Sequence, residues 1–117
     1  MQSNKTFLAH RMTDKMIILR DLKAHLQKGY NDSVKEIILF GSQVTGKSNE
    51  DSDYDILIVL DKAYNARDEN EIYDLCYDID LKYNIIIDAH LITINDLNTL
   101  RGKQPIYTTA LKTGIYA

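Results

Sequence analysis

Residues 40–60 read FGSQVTGKSNEDSDYDILIVL. An apolar run, Val34 to Phe40, stops at Gly41-Ser42, and a second run, Tyr54 to Leu60, starts at the acidic pair Asp53 and Asp55. Both runs are rich in β-branched and aromatic residues, so each reads as a strand. The second is unbroken in its apolar part, the pattern of a strand buried on both faces. Gly41, Gly46 and several Ser, Thr and Asn residues make 41–52 mostly loop, with room for one helical turn. With so little helix between them, an antiparallel pairing of the two strands is open. It would bring the end of the first beside the start of the second, and Ser42 next to Asp53 and Asp55.

Working outward, Met12, Met16, Leu19, Leu22 and Leu26 recur at helical spacing, which predicts a helix over about 12–28 started by Thr13 or Asp14 and stopped at Gly29. Ile72, Leu75, Cys76 and Ile79 form a second helical stripe within 67–83. Asn84 to Ile94, NIIIDAHLITI, reads as a third strand. Asn95-Asp96 can cap a short helix ending near Gly102. Pro105 suits the first turn of a last helix, 105–114, stopped by Gly114. The order αβ(loop)βαβαα makes strands two and three a parallel pair with a crossover helix. The expected fold class is α+β (α/β mixed), with a mixed three- to four-stranded sheet packed by helices.

The chain has 117 residues, which suits one domain over 1–117, and 44% are hydrophobic, enough for a core. Charges interrupt every apolar run before it reaches bilayer length, and the N-terminal MQSNKTFLAHRMTDK has no apolar signal core. A single cysteine, Cys76, rules out an internal disulfide and fits a cytoplasmic location. The net charge of −3 argues against direct nucleic-acid binding through bulk electrostatics.

Residues two apart on a strand share a face, so Asp53 and Asp55 aim together. Two like charges held close repel unless a cation lies between them. Hard oxygen ligands suit Mg²⁺ or Mn²⁺, and Mg²⁺ takes one or two carboxylates and completes its shell with water and phosphate; the lack of a Cys/His cluster argues against zinc. Gly41 permits close backbone approach to a phosphate and Ser42 adds a hydroxyl. Asp-x-Asp alone also occurs in solvated turns. Asp88 strengthens the cation reading, because it stands inside the apolar run 85–92 where an unpartnered charge is costly. It either lies on an edge strand, pairing with Lys82 or His90, or faces the same cation as Asp53 and Asp55. Three convergent carboxylates suit a two-metal displacement at phosphorus, with Asp88 able to take a proton from the attacking hydroxyl.

Gly41-Ser42, ten intervening residues, and Asp53-x-Asp55 together resemble the GS-x10-DxD signature of the DNA polymerase β-like nucleotidyltransferases. The short chain, the leading helix and Asp88 in a third strand resemble the minimal nucleotidyltransferases, the antitoxins of HEPN/MNT toxin–antitoxin pairs. The resemblance covers roughly residues 34–92. It implies a small nucleotidyltransferase fold in which Gly41 and Ser42 bind nucleotide phosphate. Asp53, Asp55 and Asp88 are then both the catalytic residues and the ligands of Mg²⁺, two ions being expected. The implied activity is transfer of AMP from ATP to a hydroxyl, notably a tyrosine of a HEPN toxin. Family members often read GSxARG, and Thr45 stands at the Arg position, leaving Lys47 as a substitute cation.

Larger relatives carry a helical acceptor domain that this chain lacks, so the HEPN partner or a second subunit is expected to complete the acceptor site. Two alternatives share the fold: a non-catalytic antitoxin acting by occlusion, and an aminoglycoside-type transferase acting on a small molecule. His90 shares a strand face with Asp88 and could orient it, although a packed or solvated imidazole is the expected role. Cys76 belongs to the core, and the eight tyrosines finish the core and line an interface. Lys103 reads as an ordinary loop lysine.

Overall fold

The central strand is the apolar run beginning at Tyr54. In the computed structural model, which describes the backbone of residues 2–45 and 53–117 and the side chains from residue 14 onward, Tyr54–Leu60 forms β2, and Ile56 to Leu60 are buried throughout. Antiparallel to it lies β1, Val34–Phe40, in a register that sets Phe40 opposite Asp55. On its other side β3, Ile87–Thr93, runs parallel, with Asp55 opposite Asp88 and Leu57 opposite His90. A two-residue strand, β4 (Ile115–Tyr116), adds to β1, giving a four-stranded mixed sheet in the order β3-β2-β1-β4.

Alternation along the strands builds two cores. Ile37, Leu39, Ile56, Ile58 and Leu60 face α1 (Gln2–Gly29) and α3 (Ala66–Tyr83), which contribute Ile18, Leu19, Leu22 and Leu26, and Ile72, Cys76 and Ile79. Ile38, Phe40, Leu57, Val59 and Ile92 point the other way, onto Tyr107 and Ala110 of α5 (Pro105–Thr113). Two short elements precede α5: α4, Ile94–Leu97, and a 3₁₀ turn, Arg101–Lys103. The Gly-Ser bend leads directly into a single helical turn, α2, Ser42–Thr45.

Four boundaries differ from the sequence expectations. Helix α1 starts at Gln2 rather than near residue 12, so Thr13 and Asp14 lie inside it. Residues 2–11 contain neither Gly nor Pro, and a capping residue does not start a helix where nothing interrupts the one before it. Strand β3 begins at Ile87, not Asn84. Asn84 ends α3 in the left-handed conformation (φ 54°), and the amides of Ile85 and Ile87 bond to the Asp80 carbonyl and carboxylate, so the first residues after the helix form a turn. The cap of α4 is Thr93, whose hydroxyl accepts from the Asp96 amide at 3.1 Å, in place of Asn95-Asp96. The fourth strand is β4, which follows the Gly114 stop and is too short to carry a periodic signal. Gly46 and Lys47 lie outside the described residues.

Candidate active site

Three strand ends meet at one edge of the sheet: the last residue of β1 and the first residues of β2 and β3. The register places Phe40, Asp55 and Asp88 side by side across them. Because Asp55 alternates with Leu57 and Val59, and Asp88 with His90 and Ile92, all of these side chains rise on the α5 face of the sheet. Among the described residues, one ligand atom each from Asp55, Asp88 and His90 lie within 4.8 Å of one another. His90 Nε2 stands 3.4 Å from Asp88 Oδ2.

Burial raises the Asp55 carboxyl above its ordinary range, and the charge of Asp88 pushes the same way; His90 opposes them, and Asp53 adds a smaller push. Gly41 is fitted to this carboxylate. It takes a left-handed backbone (φ 79°), and a Cβ there would collide with Asp55 Oδ2. The glycine is therefore needed by Asp55 itself, in addition to the phosphate approach expected from the sequence. Ser42 opens α2, and the amides of Val44 and Thr45 both bond to the Gly41 carbonyl. Lys15, reaching across from α1, donates to the Gln43 carbonyl at 2.6 Å and brings an ammonium to this bend.

The sequence-predicted residues are placed as follows. Gly41, Ser42, Asp55 and Asp88 come to the same end of the sheet. Asp53 precedes β2, is exposed, and is not in the three-residue cluster. Asp88 does not meet the burial argument made for it. Strand β3 is an edge strand, and the Asp88 side chain is 53% exposed and paired with His90, so its charge is solvated as well as convergent with Asp55. His90 was set aside by sequence reasoning, yet it completes the cluster. The available signal was its i+2 spacing from Asp88, which fixes a common face but not a common reach.

Two carboxylates and an imidazole at this spacing are a donor set that fits a divalent cation. Beyond His90 a cleft of about 180 Å³ continues along the outer edge of β3, lined by Tyr64, Tyr73, Arg101 and Tyr107. Arg101 Nη2 and the Tyr64 hydroxyl both donate to the Leu91 carbonyl, at 2.9 and 3.3 Å, which closes that part of the edge to strand addition. Among the described residues no helix is long and apolar enough to cross a membrane.

Residues 17–115 match the family described as "Nucleotidyltransferase domain". A Methanocaldococcus jannaschii protein named "Putative protein adenylyltransferase MJ0604" is 44% identical over 64 residues, 55% of this chain; the match spans 59% of that relative, about three fifths of its length. A second protein of that organism and designation, MJ0141, is 30% identical over 70 residues, covering 60% of this chain and 71% of its own. Among solved structures, a chain of the toxin–antitoxin MntA-HpeT, in a mutant with two aspartates two residues apart replaced by glutamate, superposes with a TM-score of 0.56 at 13% identity. That superposition covers 83% of this chain and 69% of the other and establishes a common fold.

Proposed function

Because this chain belongs to the nucleotidyltransferase domain family, we propose that it transfers AMP from ATP to a hydroxyl of a cognate toxin protein, and so acts as an antitoxin. The observation that carries this reading is the Asp55–Asp88 pair, in register across β2 and β3, with Gly41 shaped around the Asp55 carboxylate. The names of MJ0604 and MJ0141 support a protein as acceptor. The fold shared with a chain of MntA-HpeT supports a toxin as that protein. We identify the toxin as a HEPN-domain protein and the acceptor as a tyrosine, following the motif resemblance.

In this reading Asp55 and Asp88, with Asp53 at the mouth of β2, would hold Mg²⁺. Bound divalent cation supplies charge neutralisation at the α-phosphate and at the departing pyrophosphate. Gly41 and Ser42 hold the phosphates. The acceptor oxygen forms a bond to the α-phosphorus, the bond from that phosphorus to the bridging oxygen breaks, and pyrophosphate leaves. Asp88, exposed on the edge strand, is open to an incoming hydroxyl and takes its proton. The test is incubation with labelled ATP, Mg²⁺ and a cognate HEPN protein. Label on the partner, abolished by Asp53→Ala/Asp55→Ala, supports the reading; equal labelling by the double variant, or none by the wild type, refutes it.

A further inference from the structure

We infer that His90 is a direct ligand of the active-site cation and biases the site toward Mn²⁺ over Mg²⁺. The inference rests on the cation site proposed above and adds a nitrogen donor to it.

Three observations carry it. First, the ligand atoms of Asp55, Asp88 and His90 already lie within 4.8 Å of one another, and His90 Nε2 is 3.4 Å from Asp88 Oδ2. Neighbouring donors on an octahedral ion, each about 2.1 Å from the centre, are roughly 3.0 Å apart. The imidazole and the carboxylate thus stand near the spacing of two adjacent ligands. Second, the ring is held in place. His90 pairs with Leu57 in the β2–β3 ladder, is 28% exposed, and lies against Phe40 with ring centroids 5.6 Å apart and planes tilted 54°. Phe40 is itself opposite Asp55. The packing that positions the imidazole is therefore continuous with the strand that positions the first carboxylate. Third, the acid that would make an all-oxygen trio, Asp53, is outside the cluster, and His90 takes the third place.

The chemistry follows from ligand softness. Mg²⁺ is bound by oxygen donors and keeps much of its water; Mn²⁺ also favours oxygen but, as a first-row transition ion, takes an imidazole nitrogen more readily than Mg²⁺ does. A nitrogen donor at this position adds little to Mg²⁺ binding and more to Mn²⁺. Any carboxylate site binds Mn²⁺ somewhat better than Mg²⁺, so the diagnostic quantity is the change in the affinity ratio when the imidazole is removed.

The experiment loads purified protein with Mn²⁺ alone, measures Mn²⁺ and Mg²⁺ affinities by titration, and looks for directly bound ¹⁴N by pulsed electron paramagnetic resonance. Wild-type protein is expected to show a directly coordinated nitrogen. His90→Gln, which keeps a hydrogen-bonding group beside Asp88, is expected to lose that signal and to lower the Mn²⁺/Mg²⁺ affinity ratio about ten-fold. Mn²⁺ bound through Asp55 and Asp88 with no nitrogen coupling, or an unchanged ratio in His90→Gln, overturns the role of His90 while leaving the cation centre standing. Mn²⁺ binding indifferent to Asp55→Asn and Asp88→Asn overturns both.

Discussion

At the scale of single residues, Asp55 is the charge on which the site turns. Burial, reinforced by Asp88, raises its pKa above the ordinary 3.8. Such a group costs the folded state more to ionise than the unfolded chain. Stability therefore falls as pH rises from 3.8 through the folded value, and the deficit persists at neutral pH. Asp55→Asn should raise the melting temperature of the metal-free protein at pH 7 by about 2–5 °C, with the gain disappearing near pH 4. Thermal melts across that range, with and without divalent cation, check it; added cation should stabilise the wild type and not the variant. Gly41 is the complementary case. Gly41→Ala forces a Cβ into a left-handed backbone and against Asp55, and should cost about 1–2 kcal/mol in a denaturant titration while reducing cation affinity. That Gly41, Ser42, Asp55 and Asp88 come to one end of the sheet was legible in the sequence, because strand alternation sets the face of the two acids and the bend follows directly on the first strand. The solvation of Asp88 was not, since an apolar run does not reveal which strand lies at an edge, and the reach of His90 depends on packing against Phe40.

At the scale of elements, the site depends on how three strand ends are held in register. Parallel pairing of β2 with β3 followed from the helix between them, and antiparallel pairing of β1 with β2 was open because the connection between those strands reads as mostly loop. The parts that sequence reasoning misplaced are those that local chemistry decides: the turn around Asn84, the Thr93 cap, and the N-terminal extension of α1. Helix α3, which carries the crossover, is fastened to α1 by Asp21, whose carboxylate accepts from Lys82 and from the Tyr83 hydroxyl, both at 2.6 Å. The Lys82 and then the Tyr83 hydrogen bond hold the Asp21 carboxyl below its ordinary 3.8. The stabilisation is present above that value and is lost as pH falls through the lower folded one. Asp21→Asn should cost about 1 kcal/mol at pH 7, and the difference from wild type should shrink below pH 3.8; urea titrations at the two pH values measure it.

At the scale of the whole molecule, α1 and α3 cover one face of the sheet and α5 the other, and the acids converge where the ends of β1, β2 and β3 meet. Asp88 stands on the edge strand β3 with its side chain 53% exposed, which is where the proposed acceptor would approach. The fold class was legible because the two strands around the Gly-Ser loop, and the helix between strands two and three, leave few topologies to consider. The last strand, β4, was not, since two residues have no period. The central claim is that Asp55 and Asp88 form the centre at which AMP is transferred. It is tested most directly by mass spectrometry of the proposed HEPN partner after incubation with ATP and divalent cation, comparing wild type, Asp88→Asn, and Asp74→Asn on the exposed face of α3. The account predicts addition of AMP by the wild type and by Asp74→Asn, and a loss of at least about a hundred-fold in rate for Asp88→Asn. Equal transfer by all three would contradict it.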